Sequence, residues 1–122
     1  MNALELLDII NSGETSRVQF KQEMDDDKFA VEMIAMSNAK GGIILVGVED
    51  KTGKITGLAY EQLQSYNNRL ANVANEVKPQ IFIETEVVIL NTDEGEKRIL
   101  IVTVSEGISK PYKDKNGAIW TK

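Results

Sequence analysis

Ile43 to Val48 reads IILVGV, a continuous apolar run set between the pair Gly41-Gly42 and the acidic Glu49-Asp50. A short run of this kind, bounded by glycines, reads as a buried central strand. The segment before it, Lys28 to Lys40, holds no glycine or proline. Aspartates 25–27 at its start and Lys40 at its end complement a helix macrodipole. Phe29, Met33 and Met36 fall on one stripe, with Ala30 and Ile34 beside it, so the segment is expected to be a helix. Gly41-Gly42 therefore follows a helix. A phosphate-cradling glycine loop has the reverse order, strand then helix N-terminus, where free N–H groups and the positive dipole end meet the anion. The pair is read as a left-handed helix cap followed by a tight turn into the strand. The chain also lacks the GxxxxGK[ST] pattern of a P-loop.

The remaining elements follow from periodicity. Residues 3–10, ALELLDII, form a short helix with Asn2 as its cap. RVQFKQE, residues 17–23, alternates strictly, placing Val18 and Phe20 toward the core and Arg17, Gln19, Lys21 and Glu23 on the other face. After the central strand, DKTGK is a hairpin turn and Ile55 to Leu58 a short returning strand. Residues 60–77 carry Leu63, Tyr66, Leu70, Val73 and Val77 at helical spacing, a stripe read as core, and Pro79 stops the helix. IFIETEVVIL and KRILIVTV are strands joined at NTDEGE, and a last strand fragment, AIWTK, follows a loop with Gly107 and Pro111. The expected order is α-β-α-β-β-α-β-β-β, an α+β fold in which a small mixed sheet carries two main helices. The 122 residues fit one domain, and the end of the chain inside an expected strand suggests the N-terminal part of something longer.

Composition narrows the function. No apolar run approaches the length of a spanning helix, the acidic N-terminus is no signal peptide, and no cysteine is present, so a cytoplasmic protein without membrane contact is expected. The absence of histidine removes the commonest general base and leaves any metal to carboxylates, which suit magnesium or manganese. The net charge of −5 opposes indiscriminate binding to nucleic acid. The charge is uneven, however: residues 1–27 hold seven acids against Arg17 and Lys21, whereas residues 110–122 hold four lysines against Asp114.

Separated stretches, in order, resemble the AlbA-type DNA-binding domain shared by Schlafen proteins and bacterial transcriptional regulators, once grouped with divergent AAA modules. They are Glu14 with VQFK (18–21), SNAKGG (37–42), IILVGVED (43–50), ITGL (55–58) and SKPYKDKNGAIWTK (109–122). Together they span nearly the whole chain. The resemblance implies an AlbA-like α+β module that binds nucleic acid, DNA more than RNA, and that precedes other domains. It also locates a departure. Nuclease-active Schlafen relatives carry a carboxylate triad, whose positions correspond here to Glu14, Gln19 and Asp50, with Glu49 adjacent to the last. A glutamine supplies no negative charge for a divalent cation, so no catalysis and no cofactor are expected, and Glu14 and Asp50 stay weak metal candidates.

The candidate nucleic-acid contacts are Lys21, Lys110, Lys113, Lys115, Trp120 and Lys122, the last five interleaving base and aromatic as a backbone-tracking surface does. Each has a plainer reading: Lys21 as a solvated lysine, the tail as a solvated edge segment, Glu14 and Asp50 as turn caps. Asn38, near the end of its helix, is read as bonding loop backbone. Three functions follow: a nucleic-acid-binding module, expected as a homodimer; a non-catalytic oligomerisation or interaction module; and a metal-dependent nuclease at Glu14 and Asp50.

Overall fold

The computed structural model describes all of Met1–Lys122. Helix α1 (Ala3–Ser12) starts in a capping box, with Asn2 Oδ1 accepting from Glu5 N at 2.8 Å and the Glu5 carboxylate accepting from Asn2 N at 3.3 Å. Strand β1 (Val18–Lys21) is followed by helix α2 (Asp26–Asn38), capped by the Asp25 carboxylate on Lys28 N at 3.1 Å. Strand β2 (Gly42–Val46), helix α3 (Tyr60–Glu76) and the hairpin β3 (Ile83–Thr92) and β4 (Gly95–Val104) complete the fold.

The sheet order is β1-β2-β4-β3, with β1 parallel to β2 and the other pairs antiparallel. The mixed α+β class is as expected. The parallel pair is joined through α2, since parallel neighbours require a crossover. Alternation in the strands then builds two cores. Ile44, Val46, Leu100, Val102 and Val104 face α2 and α3, meeting Phe29, Met33, Met36, Leu63, Tyr66, Leu70 and Val73. Phe20, Leu45, Val88, Leu90, Ile99 and Ile101 face the other way, and Leu6 and Ile10 of α1 cover them. The IILVGV run is apolar throughout because β2 is buried on both sides.

The glycine pair behaves as a turn. Gly41 has φ +79°, and its N–H donates to Met36 O at 2.8 Å. A Cβ there would lie 2.7 Å from Val104 O and 2.9 Å from Glu106 N; one on Gly42 would lie 2.7 Å from Arg17 O. The pair lets β2 slide between β1 and β4. The residue directly after α2 is Ala39, with φ −102°, so the left-handed position falls two residues later than a simple helix cap would place it.

Two expected strands are absent. Residues 55–58 contribute only a bridge, Val48 to Ile55, because Thr56 and Gly57 both donate their N–H to Gly47 O at 2.9 Å and the chain then turns. AIWTK likewise gives one bridge, Ile119 to Lys113; the Asp114 carboxylate accepts from Asn116 N and Ala118 N and winds the segment into a turn.

Candidate nucleic-acid interface

Beyond β4 the chain runs under the C-terminal end of α2. Ser37, the one buried polar residue, donates its hydroxyl to Ser105 O at 3.0 Å and accepts Gly107 N on its carbonyl at 2.9 Å. Gly107 is obligatory, since a Cβ would fall 2.0 Å from the buried Tyr112 ring. Asn38 then holds the tail. Its Oδ1 accepts from Tyr112 N at 2.6 Å, and its Nδ2 donates to Tyr112 O at 3.1 Å and Trp120 O at 2.8 Å. The loop-bonding role expected for Asn38 is therefore present, with the tail as the loop.

This docking brings cations together at the end of the sheet where β1 and β2 begin. Lys110 Nζ donates to Ala39 O at 2.8 Å and to the Glu106 carboxylate at 2.9 Å, and Arg17 Nη2 donates to Lys40 O at 3.2 Å. The Lys110 hydrogen bond, and then the charges of Lys110, Lys40 and Arg17, hold the Glu106 carboxyl below its ordinary value. Glu106 ion-pairs with Lys110 alone; Arg17 and Lys40 are exposed and pair with no carboxylate. Further along the tail, Lys113 exchanges both backbone hydrogen bonds with Lys78, at 2.9 Å each, so two exposed lysines stand directly opposite one another.

The other tail residues lie elsewhere. Lys115 is 3.8 Å from Glu76, and Trp120 donates its indole N–H to Asp114 at 3.2 Å. Both line a groove of about 850 Å³ between α2, α3 and the tail. Asp25, Asp26, Asp27, Glu76 and Asp114 outnumber Arg69 and Lys115 in that groove, a lining that repels phosphate. Lys122 is ion-paired with Glu32. Lys21, at the far end of β1, shares a small cleft with Glu23, Asp25, Lys28 and Asp50. Of the six residues singled out in the sequence, Lys110 alone joins Arg17 and Lys40; Lys113 stands opposite Lys78, and Lys21, Lys115, Trp120 and Lys122 have the other surroundings just described. Arg17, Lys40 and Lys78 were not read from the sequence. Arg17 had a signal in its place on the polar side of the alternating 17–23 run and Lys40 in adjoining the glycine pair; Lys78 had none.

Two of the triad positions, Glu14 and Gln19, are hydrogen-bonded to backbone. Glu14 Oε2 accepts from Phe20 N at 3.0 Å, and Gln19 Nε2 donates to Thr15 O at 2.7 Å. Asp50 lies instead in the Lys21 cleft, and Glu14, Gln19 and Asp50 form no group of three acidic donors that could hold a metal ion.

A family model described as Schlafen, AlbA_2 matches residues 14–122, from the residue after the glycine that ends α1 to the last residue of the tail. The chain belongs to this family. Among solved structures, the AlbA_2 chain is similar to the DIP2311 protein from Corynebacterium diphtheriae, with 21% identity and a TM-score of 0.61. The likeness covers 98% of this chain and 28% of that one, and it concerns the fold. No curated protein matches the AlbA_2 chain.

Proposed function

We propose that this AlbA_2 domain is a nucleic-acid-binding module of a bacterial transcriptional regulator, with DNA as its expected target and contacts chiefly to the phosphate backbone. The observation that carries the reading is the gathering of Arg17, Lys40 and Lys110 around the single carboxylate of Glu106, two of the three cations being free of any carboxylate. Lys113 and Lys78, exposed and opposite one another, add a second pair of cations at the tail. Phosphates, by releasing counterions, reward such clustering even on a chain of net charge −5. On this reading the domain positions DNA and performs no chemistry on it.

Fluorescence anisotropy with labelled duplex DNA and RNA at low salt tests the reading. Affinity should fall steeply with salt, and Arg17→Ala with Lys40→Ala should flatten the log–log slope by about 2. Lys51→Ala, on the exposed 49–54 hairpin, should leave it unchanged. Absence of binding at low salt overturns the function; binding indifferent to the double variant overturns the site. A second reading, a non-catalytic interaction module, draws on the acidic groove. It gains if nucleic-acid binding is absent at low salt while the domain still associates with a protein partner or with itself.

A further inference from the structure

The two edges of the sheet are treated differently. On β1, Thr15 and Val18 exchange backbone hydrogen bonds at 2.9 and 3.3 Å, and the Glu14 carboxylate takes the next outward N–H, that of Phe20. That edge is closed by its own chain. On the opposite edge, β3 runs ten residues and pairs with β4 without a bulge, and none of residues 83–92 makes a backbone hydrogen bond to anything else. The strand, IETEVVILNT, contains neither lysine nor proline, two common means by which proteins blunt an open edge. Val87 and Ile89, on the face of β3 shared with Ile83, remain 44% and 46% exposed.

We infer that this edge is an interface between two copies of the chain, β3 pairing antiparallel with β3 of the second copy to form one continuous eight-stranded sheet. The side chains restrict the register. A twofold axis at Thr85 sets Glu84 opposite the other Glu86; one at Glu84 or Glu86 sets that residue against itself. An axis at Ile89 opposes Glu84 to Glu94, and one at Leu90 opposes Glu86 to Glu94. With the axis at Val87 or Val88, no acid meets an acid. Glu86 then faces Val88 or Leu90, and the exposed Val87 and Ile89 are covered by Val87 and Thr85 of the other copy, or by each other. Glu86 bears the Met1 ammonium at 3.1 Å while Glu84 carries no such partner, so the acids disfavour the other registers and leave the strand complementary to itself in these two. The inference is independent of the nucleic-acid reading.

Sedimentation of the 122-residue chain should give twice 13.5 kDa. Val87→Lys with Ile89→Lys, at positions half open to solvent in the single copy, should halve that mass with the circular dichroism unchanged. Because the chain has no cysteine, single cysteines report the register. Opposed residues on antiparallel strands have Cα atoms about 4.5–5.5 Å apart, within disulfide reach. Self-crosslinking should occur at Val87→Cys or Val88→Cys and not at Glu84→Cys or Thr85→Cys. A monomer at about 100 μM, a dimer indifferent to the double lysine variant, or crosslinking through Glu84→Cys or Thr85→Cys overturns the inference, whatever nucleic-acid binding shows.

Discussion

Asn38 is the residue on which the position of the whole tail depends, and its removal has a calculable cost. Its side chain makes three hydrogen bonds to backbone 74 and 82 residues away, using its acceptor oxygen and its amide donors. At about 0.5–1.5 kcal/mol net for each, Asn38→Ala should destabilise the domain by about 2–4 kcal/mol, a large part of the stability of a domain this size. That corresponds to a fall in Tm on the order of 10 °C. Asn38→Asp keeps the acceptor for Tyr112 N but turns an oxygen toward two carbonyl oxygens, so its cost should be at least as great. The assay is urea unfolding read by the fluorescence of Trp120, the only tryptophan, whose carbonyl Asn38 holds. Emission should move to the red in the native baseline of Asn38→Ala as the tail lifts. Asn68→Ala, at an exposed position of α3, serves as the control. A loss below about 1 kcal/mol with unchanged Trp120 emission would refute the clamp.

Further outcomes follow from the same geometry. Gly41→Ala should cost more than Gly53→Ala in urea unfolding: both have positive φ and pay about 1–2 kcal/mol of strain, but only at Gly41 does a Cβ strike backbone, at Val104 and Glu106. The Asp114 carboxyl is held below its ordinary value, first by the Ala118 N–H and then by the Trp120 indole. A depressed pKa contributes stability above the unfolded value and loses it as pH falls through the folded one, so the 114–118 turn should open only at pH below the ordinary aspartate range. Trp120 emission should report that opening, and Asp114→Asn should abolish the acid response while keeping the turn. Labelled DNA and RNA incubated with magnesium or manganese should stay intact, and gel electrophoresis showing cleavage lost in Asp50→Ala would overturn the non-catalytic reading.

The three helices, the four strands of the sheet and the glycine turn were legible because each is written in local sequence. Hydrophobic spacing of about 3.6 or 2 tells a segment which of its own faces must leave water, whatever lies opposite. The same rule misjudged 55–58 and 118–122. These segments alternate adequately, but Gly47 O gathers two N–H donors and the Asp114 carboxylate two more, leaving no ladder to extend.

The candidate site was legible only in part, because charge on a surface is summed over residues far apart in the chain. The sequence by itself determined that the tail is basic and the triad short of one carboxylate. Tertiary structure decided which lysines are neutralised, sending Lys122 to Glu32 and Lys115 toward Glu76, and gathered Arg17 and Lys40 beside Lys110. It also decided that one sheet edge is closed and the other open. Burial is favourable in proportion to area and so imprints itself on nearest neighbours in sequence, whereas ion pairing and strand pairing depend on distances that exist only once the chain has folded.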